Sequence, residues 1–235
     1  MANPAALLEA RQIGRLHPDR QRWLLDDISL VIYPGDRLAI AGPSGAGKTL
    51  LLRALALLDP LDRGQITWKS QPVRHDRVPR LRCKAIYLHQ RPALWDDTVE
   101  TALRFPFSLR VHRGKRFDRD RAVAQLARLG RDATFLTQRV ANLSGGETQI
   151  AALVRALQLE PAILLLDEPI SALDPQTAQA VEGLLLDWVS DAASERAWVW
   201  VTHDAAQADR VAQRTVRVRA GRLVDSGDVA EGGPA

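Results

Sequence analysis

The chain has 235 residues, of which 46% are apolar and 26% charged, enough apolar content for a water-excluding core and too much for a disordered chain. A single cysteine, Cys83, excludes an internal disulfide or a multi-cysteine zinc site, and the longest uncharged stretch, 38–47, falls well short of the roughly 18 residues a bilayer span needs. The net charge of +4 is uneven: residues 70–140 hold 16 Lys/Arg against 7 Asp/Glu, together with all four phenylalanines, as in an Arg-rich solvated face or a docking surface. Residues 1–11 lack the basic and apolar regions of a secretory signal, so a cytosolic protein is expected.

Taken in chain order, the apolar pattern predicts strands over 28–32 and 37–41. They are joined by Tyr33-Pro34-Gly35-Asp36, where Pro presets φ and Gly accepts positive φ for a type II turn. A leucine-rich helix is expected over 48–58, then strands over 64–68 and 84–89. Helices over 98–103 and 119–129 follow, interrupted by Phe105-Pro106-Phe107. Ile150, Leu153, Val154 and Leu157 recur at helical spacing. A fully apolar strand over 162–166 leads to a helix over 176–188. Trp198 and Trp200 alternate with valines in a buried strand over 197–202, and a hairpin around Ala220-Gly221 closes the segment 215–224. This pattern is α/β, with an inserted helical segment near 91–160.

Three segments carry chemistry. Gly42, Pro43, Ser44, Gly45, Ala46, Gly47, Lys48 and Thr49 follow a strand and open a helix, which is the P-loop pattern. Its glycines let backbone N–H groups curl around phosphate oxygens. Lys48 would reach the β- and γ-phosphates, and the Thr49 hydroxyl would join a Mg²⁺ shell. Asp167 and Glu168 emerge at the carboxyl end of the apolar strand, where α/β sheets bind ligands. Asp167 would hold Mg²⁺ and Glu168 would act as general base toward water. Ser144, Gly145, Gly146 and Glu147 form a capping box before an apolar helix. Two glycines in a first helical turn are unfavourable by up to about 1 kcal/mol each, yet they bare the amides for a second phosphate contact.

In this order, the P-loop, the segment from Leu143 to Glu147 and the apolar strand ending in Asp167-Glu168 resemble the nucleotide-binding subunit of ABC transporters over nearly the whole chain. Gln90 matches the family's Q-loop glutamine, Ser171-Ala172-Leu173-Asp174 its D-loop, and His203 its switch histidine. The resemblance implies a RecA-like P-loop NTPase core sheet with an N-terminal antiparallel β subdomain, built from 1–90 and 161–235, and an inserted helical subdomain over 91–160. It also implies two subunits sandwiching two ATP molecules with Mg²⁺. Ser144, Gly145 and Gly146 would contact the γ-phosphate held by the partner subunit. Gln90 would sense Mg²⁺ and the attacking water, Asp174 would couple the two sites, and His203 would bond the γ-phosphate. Two departures stand out. Ile150 replaces the arginine that usually follows the glutamine matching Gln149, and the residue stacking on adenine is either His17 or Trp23.

The absence of a spanning segment implies a separate permease subunit, with this chain as a peripheral ATPase on the cytoplasmic face of the membrane. The short sequence after the hairpin implies no regulatory domain. Segment 98–110 is similar to the bacterial iron-export (Fet-type) ATPases, related to plant aluminium-tolerance ATPases; the alternative is an importer ATPase for phosphate or polar amino acids. ABC ATPases acting on DNA or ribosomes couple these motifs to coiled coils, zinc modules or a second copy. One P-loop, one Cys and no sustained heptads argue against that class, so no direct nucleic-acid contact is expected. By the resemblance, the permease docks beside the Gln90 loop on residues 91–116. At least one of Trp95, Phe105 and Phe107 should then be exposed.

Overall fold

The structure, a computed structural model, describes residues 5–95, 97–191 and 195–224; the chain ends at 1–4 and 225–235, on which the reading of leader and regulatory domain bears, lie outside the described residues. Two long strands, β1 (Leu8–Leu16) and β2 (Trp23–Ile32), are followed by β3 (Arg37–Ala41) and α1 (Lys48–Leu55). Then come β4 (Arg63–Trp68), β5 (Gln71–Pro72), α2 (Val78–Arg82) and β6 (Ala85–Leu88). The inserted segment contributes α3 (Val99–Arg104), α4 (Arg119–Arg128) and α5 (Gly145–Gln158). The chain continues with β7 (Ile163–Asp167), α6 (Pro175–Ser190), β8 (Ala197–Val201), α7 (Ala205–Val211), β9 (Arg214–Arg219) and β10 (Arg222–Val224).

The strands form two sheets. One is antiparallel, in the order β2-β1-β4-β5; the other is six-stranded, in the order β10-β9-β3-β8-β7-β6, and parallel except for the terminal hairpin. All residues of β7 and β8 are buried, as strands covered on both faces require. Successive side chains alternate between two cores. Ile163, Leu165, Ala197, Val199 and Val201 join α1 and the antiparallel sheet in one. Leu164, Leu166, Trp198 and Trp200 join α5, α6 and the inserted segment in the other. The inserted helices are therefore packed continuously onto the main sheet.

Local differences from the sequence expectations have physical causes. Helix α1 stops at Leu55 because Leu57 takes a left-handed conformation, φ +50°, and Arg53 turns to a bidentate pair with Asp59 at 2.7 and 2.9 Å. β1 had no strand signal, since its register shifts repeatedly between Ala10 and Leu16 and breaks the period-two pattern. β2 begins five residues before the expected 28. Phe105-Pro106-Phe107 does interrupt, as a 3-10 turn over Phe105–Ser108.

The P-loop is clamped by parts distant in sequence. Gly221, in the β9–β10 turn, donates its N–H to Ala46 O at 2.9 Å and accepts from Asp26 N–H at 2.8 Å. Its φ is +76°, and an added Cβ would lie 2.3 Å from Leu24 O. Gly35 has a similar φ of +83° with no atom within 4 Å of that position. Gly35→Ala should therefore cost only the left-handed strain, about 1–2 kcal/mol. Gly221→Ala should cost clearly more, because the β2 backbone must move. Urea unfolding of both variants checks this; equal losses would contradict it.

Candidate active site

The site forms at the carboxyl ends of β3, β6, β7 and β8. After β3 the chain turns through Gly42, Gly45 and Gly47, with φ of +146°, +75° and +105°. An added Cβ at Gly42 would meet Val218 O at 2.2 Å, whereas Gly45 has open space and needs glycine only for its backbone angle. Pro43 and Ala46 close the loop through Ala46 N–H to Pro43 O, 3.2 Å. Ser44 sits at its exposed tip. Lys48 is buried, and its ammonium donates to the carbonyls of Gly42 and Pro43 at 2.8 Å each. A buried cation is thus held by two carbonyls at the base of a glycine-rich loop that opens a helix, the arrangement of a cradle for a polyanion.

Thr49 Oγ1 donates to Asp167 Oδ1 at 3.1 Å, bringing the first helical hydroxyl to the strand-end acid. On the other side Tyr87, from β6, donates its phenol to Asp167 Oδ2 at 2.9 Å. Burial, reinforced by the Asp167 carboxylate, pushes the Tyr87 phenol above its ordinary pKa, so it remains a donor at all working pH values. Tyr87 was not singled out in the sequence; a lone tyrosine in a short strand carries no motif. Thr49 and Asp167 offer only hard oxygen donors, and no group of three His, Cys, Asp or Glu side chains is gathered among the described residues. That set suits Mg²⁺, which keeps waters and substrate phosphates in its shell, and does not suit a closed protein cage.

Glu168 is the next residue, and its backbone is strained, with φ +46°. Its carboxylate receives Gln90 Nε2 at 2.8 Å on one oxygen and faces His203 Nδ1 at 3.3 Å on the other. Three residues far apart in sequence, Gln90, Glu168 and His203, therefore meet around one carboxylate. That carboxylate is partly open to solvent, and water can reach it.

Ser144 caps α5: its hydroxyl accepts from Glu147 N–H at 3.2 Å, and the Glu147 carboxylate takes both the Ser144 N–H and hydroxyl at 2.9 Å. Those bonds hold the Glu147 carboxyl below its ordinary pKa, so the cap is complete at neutral pH and loosens as pH falls through the lowered value. The two glycines differ. A Cβ at Gly146 would meet Ala172 O at 2.8 Å, so packing against the 171–174 loop already requires glycine there. At Gly145 the nearest atom would be 3.9 Å away. Packing thus gives Gly146 an internal reason to be glycine that Gly145 lacks.

Other expected residues have local partners. Asp174 caps α6 through Thr177, whose hydroxyl and N–H hold its carboxyl below the ordinary range. Ile150 is 1% exposed in the helical core, a position a charged side chain could occupy only with a buried partner. His17 pairs with Asp19 at 2.9 Å, and Trp23 is 37% exposed beneath the Arg63 guanidinium at 4.8 Å.

A P-loop cradle joined to a strand-end acid pair on a parallel sheet defines a P-loop NTPase of RecA-like fold. The family model for ABC transporters matches residues 25–171. The chain is 35% identical over 246 residues to a probable anion import ATP-binding protein of Haloferax volcanii, covering 94% of this chain and 80% of the relative. It is 32% identical over 229 residues to the probable iron export ATP-binding protein FetA of Escherichia coli, covering 96% and 98%. Among solved structures it shares the fold of the dimeric post-hydrolysis state of the ATP-binding cassette MJ0796 bound to ADP and Pi. The TM-score there is 0.82 at 24% identity, over 93% of this chain and 97% of that one. The chain belongs to the ABC transporter family and is its ATP-binding, ATP-hydrolysing component. No subgroup is singled out, so the similarity of 98–110 to the Fet-type ATPases does not extend to an assignment.

The glycine contrast is open to measurement. Gly146→Ala should destabilise the fold by displacing the Ala172 carbonyl. Gly145→Ala should leave unfolding unchanged or raise stability by up to about 1 kcal/mol. Denaturant unfolding of the two variants decides between these outcomes.

Proposed function

We propose that the chain drives transport through a separate permease subunit, as an ATP-dependent homodimer at the cytoplasmic membrane face. The observation that carries this reading is the meeting of Gln90 and His203 on Glu168, beside the Lys48 cradle. In this reading Lys48 exchanges its two carbonyl partners for the β- and γ-phosphates of ATP. Thr49, Asp167 and Gln90 would hold Mg²⁺, which would supply positive charge to the phosphates when bound. Glu168 accepts a proton as water attacks the γ-phosphorus and the bond to the β-phosphate oxygen breaks, leaving ADP and phosphate. His203 bonds the γ-phosphate and orients the water. Gly145 has no internal reason to be glycine; with Ser144 and Gly146 it meets the partner's nucleotide, while Asp174 lies at the subunit contact. We assign 91–160 as the helical subdomain, with 1–90 and 161–235 forming the core and β subdomain.

Glu168→Gln should keep Mg-ATP binding while losing about 10²–10⁴-fold in kcat, and it should accumulate as an ATP-bound dimer by light scattering. Lys48→Ala should instead weaken ATP binding by roughly 10- to 100-fold, the loss of charge-assisted bonds. Near-normal turnover in the first variant, or tight ATP binding in the second, would contradict these roles.

Import of a small oxyanion such as phosphate has better support than iron export, the anion-import relative being the more similar of the two described. Among the described residues no helix is long and apolar enough to cross a membrane. The docking face for the permease is the surface around Trp95 and Phe105, which are 66% and 45% exposed and stack on each other at 5.6 Å. Beside them lies a groove of about 520 Å³ lined by Arg104, Phe107, Arg116 and Phe117. Exposed aromatics among arginines are the usual anchors of an interface. Trp95→Ala should loosen the permease complex and uncouple transport, with ATP binding by the isolated subunit unchanged. Pull-down and nucleotide titration read the two effects, and an intact, coupled complex would place the docking site elsewhere.

A further inference from the structure

Helix α5 carries one side chain that the chemistry above does not use. Gln149 is 2% exposed and stands beside Ile150, Ala151 and Ala152, all buried and apolar. A buried amide at such a position is unfavourable unless its hydrogen bonds are made. Here they are made, and to three separate pieces of the site. Nε2 donates to the Gln90 carbonyl at 2.9 Å; its other hydrogen faces the Glu168 carbonyl at 3.5 Å and Ser171 Oγ at 3.4 Å. Oε1 accepts the Ala172 N–H at 3.3 Å. One side chain therefore ties the backbones of the Gln90 loop, of Glu168 and of the 171–174 loop to a single helix. Arg155, further along α5, reaches Ala93 O at 3.5 Å and adds a second tie to the segment after Gln90.

The strained φ of +46° at Glu168 persists only if its surroundings fix it. Glu168 N–H bonds Val201 O, and Glu168 O accepts from Ser171 N–H, each at 3.2 Å; Gln149 supplies the remaining constraint from the helix side. We propose that Gln149 is a positioning residue that links the two nucleotide sites of the dimer, a reading that rests on the homodimer described above. The start of α5 meets the nucleotide held by the partner subunit. Gln149, on the same rigid helix, holds the Gln90 and Glu168 of its own subunit. A shift of the helix on meeting phosphate is thereby passed to the carboxylate of the other site. Gln149 touches no substrate and acts only through Gln90 and Glu168.

The test is steady-state ATP hydrolysis by the full chain, as wild type, Gln149→Met and Gln149→Glu, with ATP binding and thermal unfolding measured in parallel. Met keeps the volume and removes every hydrogen bond. Glu keeps the acceptor for Ala172 N–H and sets an oxygen against the Gln90 and Glu168 carbonyls. Both should lower kcat by about 10- to 50-fold while KM for ATP stays within about 3-fold, because positioning and not binding is lost. The Hill coefficient should fall toward 1, and ATP-induced dimers should still form. Wild-type kcat and Hill coefficient in Gln149→Met overturn the inference. If Gln149→Met unfolds early, the same result in Gln149→Glu overturns it, as does a rise in KM with kcat unchanged in either variant. A wild-type protein that neither hydrolyses ATP nor dimerises with it overturns the functional reading as well, which separates the two failures.

Discussion

The structure depends on strand β7 being buried on both faces. Ile163, Leu164 and Leu165 are wholly inaccessible, as is Leu166, and each such side chain contributes about 1.5–3 kcal/mol by leaving water. Summed over the strand, that exceeds the strain of one left-handed non-glycine residue, about 1–3 kcal/mol. The strand can therefore hold Glu168 in a conformation the residue would not choose, with Asp167 buried directly before it. Alternation along β7 and β8 also joins the two cores, so the inserted helices and the antiparallel sheet are fixed to the same sheet from opposite sides.

Around that strand the site is assembled from short polar contacts and not from one rigid motif. Asp167 is held between Thr49 and Tyr87, and Glu168 between Gln90 and His203. These partners come from the ends of β3, β6 and β8, so the geometry requires the sheet to be in register. The P-loop is likewise braced by Gly221, far along the chain, through the Ala46 carbonyl. Backbone and side-chain contacts between segments distant in sequence thus set the position of the site's polar groups.

The glycines show how one residue type answers to different physics. Gly42 and Gly221 are required by the approach of another backbone, and Gly45 by its backbone angle alone. Gly146 accommodates the Ala172 carbonyl, whereas Gly145 has neither constraint. A motif read as a unit hides this difference, since sequence records the residue and not the atom that would collide with its Cβ.

Much of the fold was legible beforehand because its signals are local. The apolar runs of β7 and β8, the helical period of α5, the Pro-Gly turn before β3 and the P-loop are all patterns within a dozen residues. The pairing of Ser144 with Glu147 was legible for the same reason. β1 was not, because its register shifts erase the alternation that marks a strand. The site contacts of Tyr87, and of Gln149, which matches a family glutamine but carries no assigned role, were not legible either. A tyrosine in a four-residue strand and a glutamine in an apolar helix gain meaning only from Asp167, Gln90, Glu168 and Ala172, which approach from other elements. The sequence by itself determined the regular strands and helices and the phosphate loop, since those follow from short-range sterics and burial. Only the tertiary structure decided which polar groups meet, because a buried hydrogen bond is defined by two partners and the chain between them carries no record of the distance.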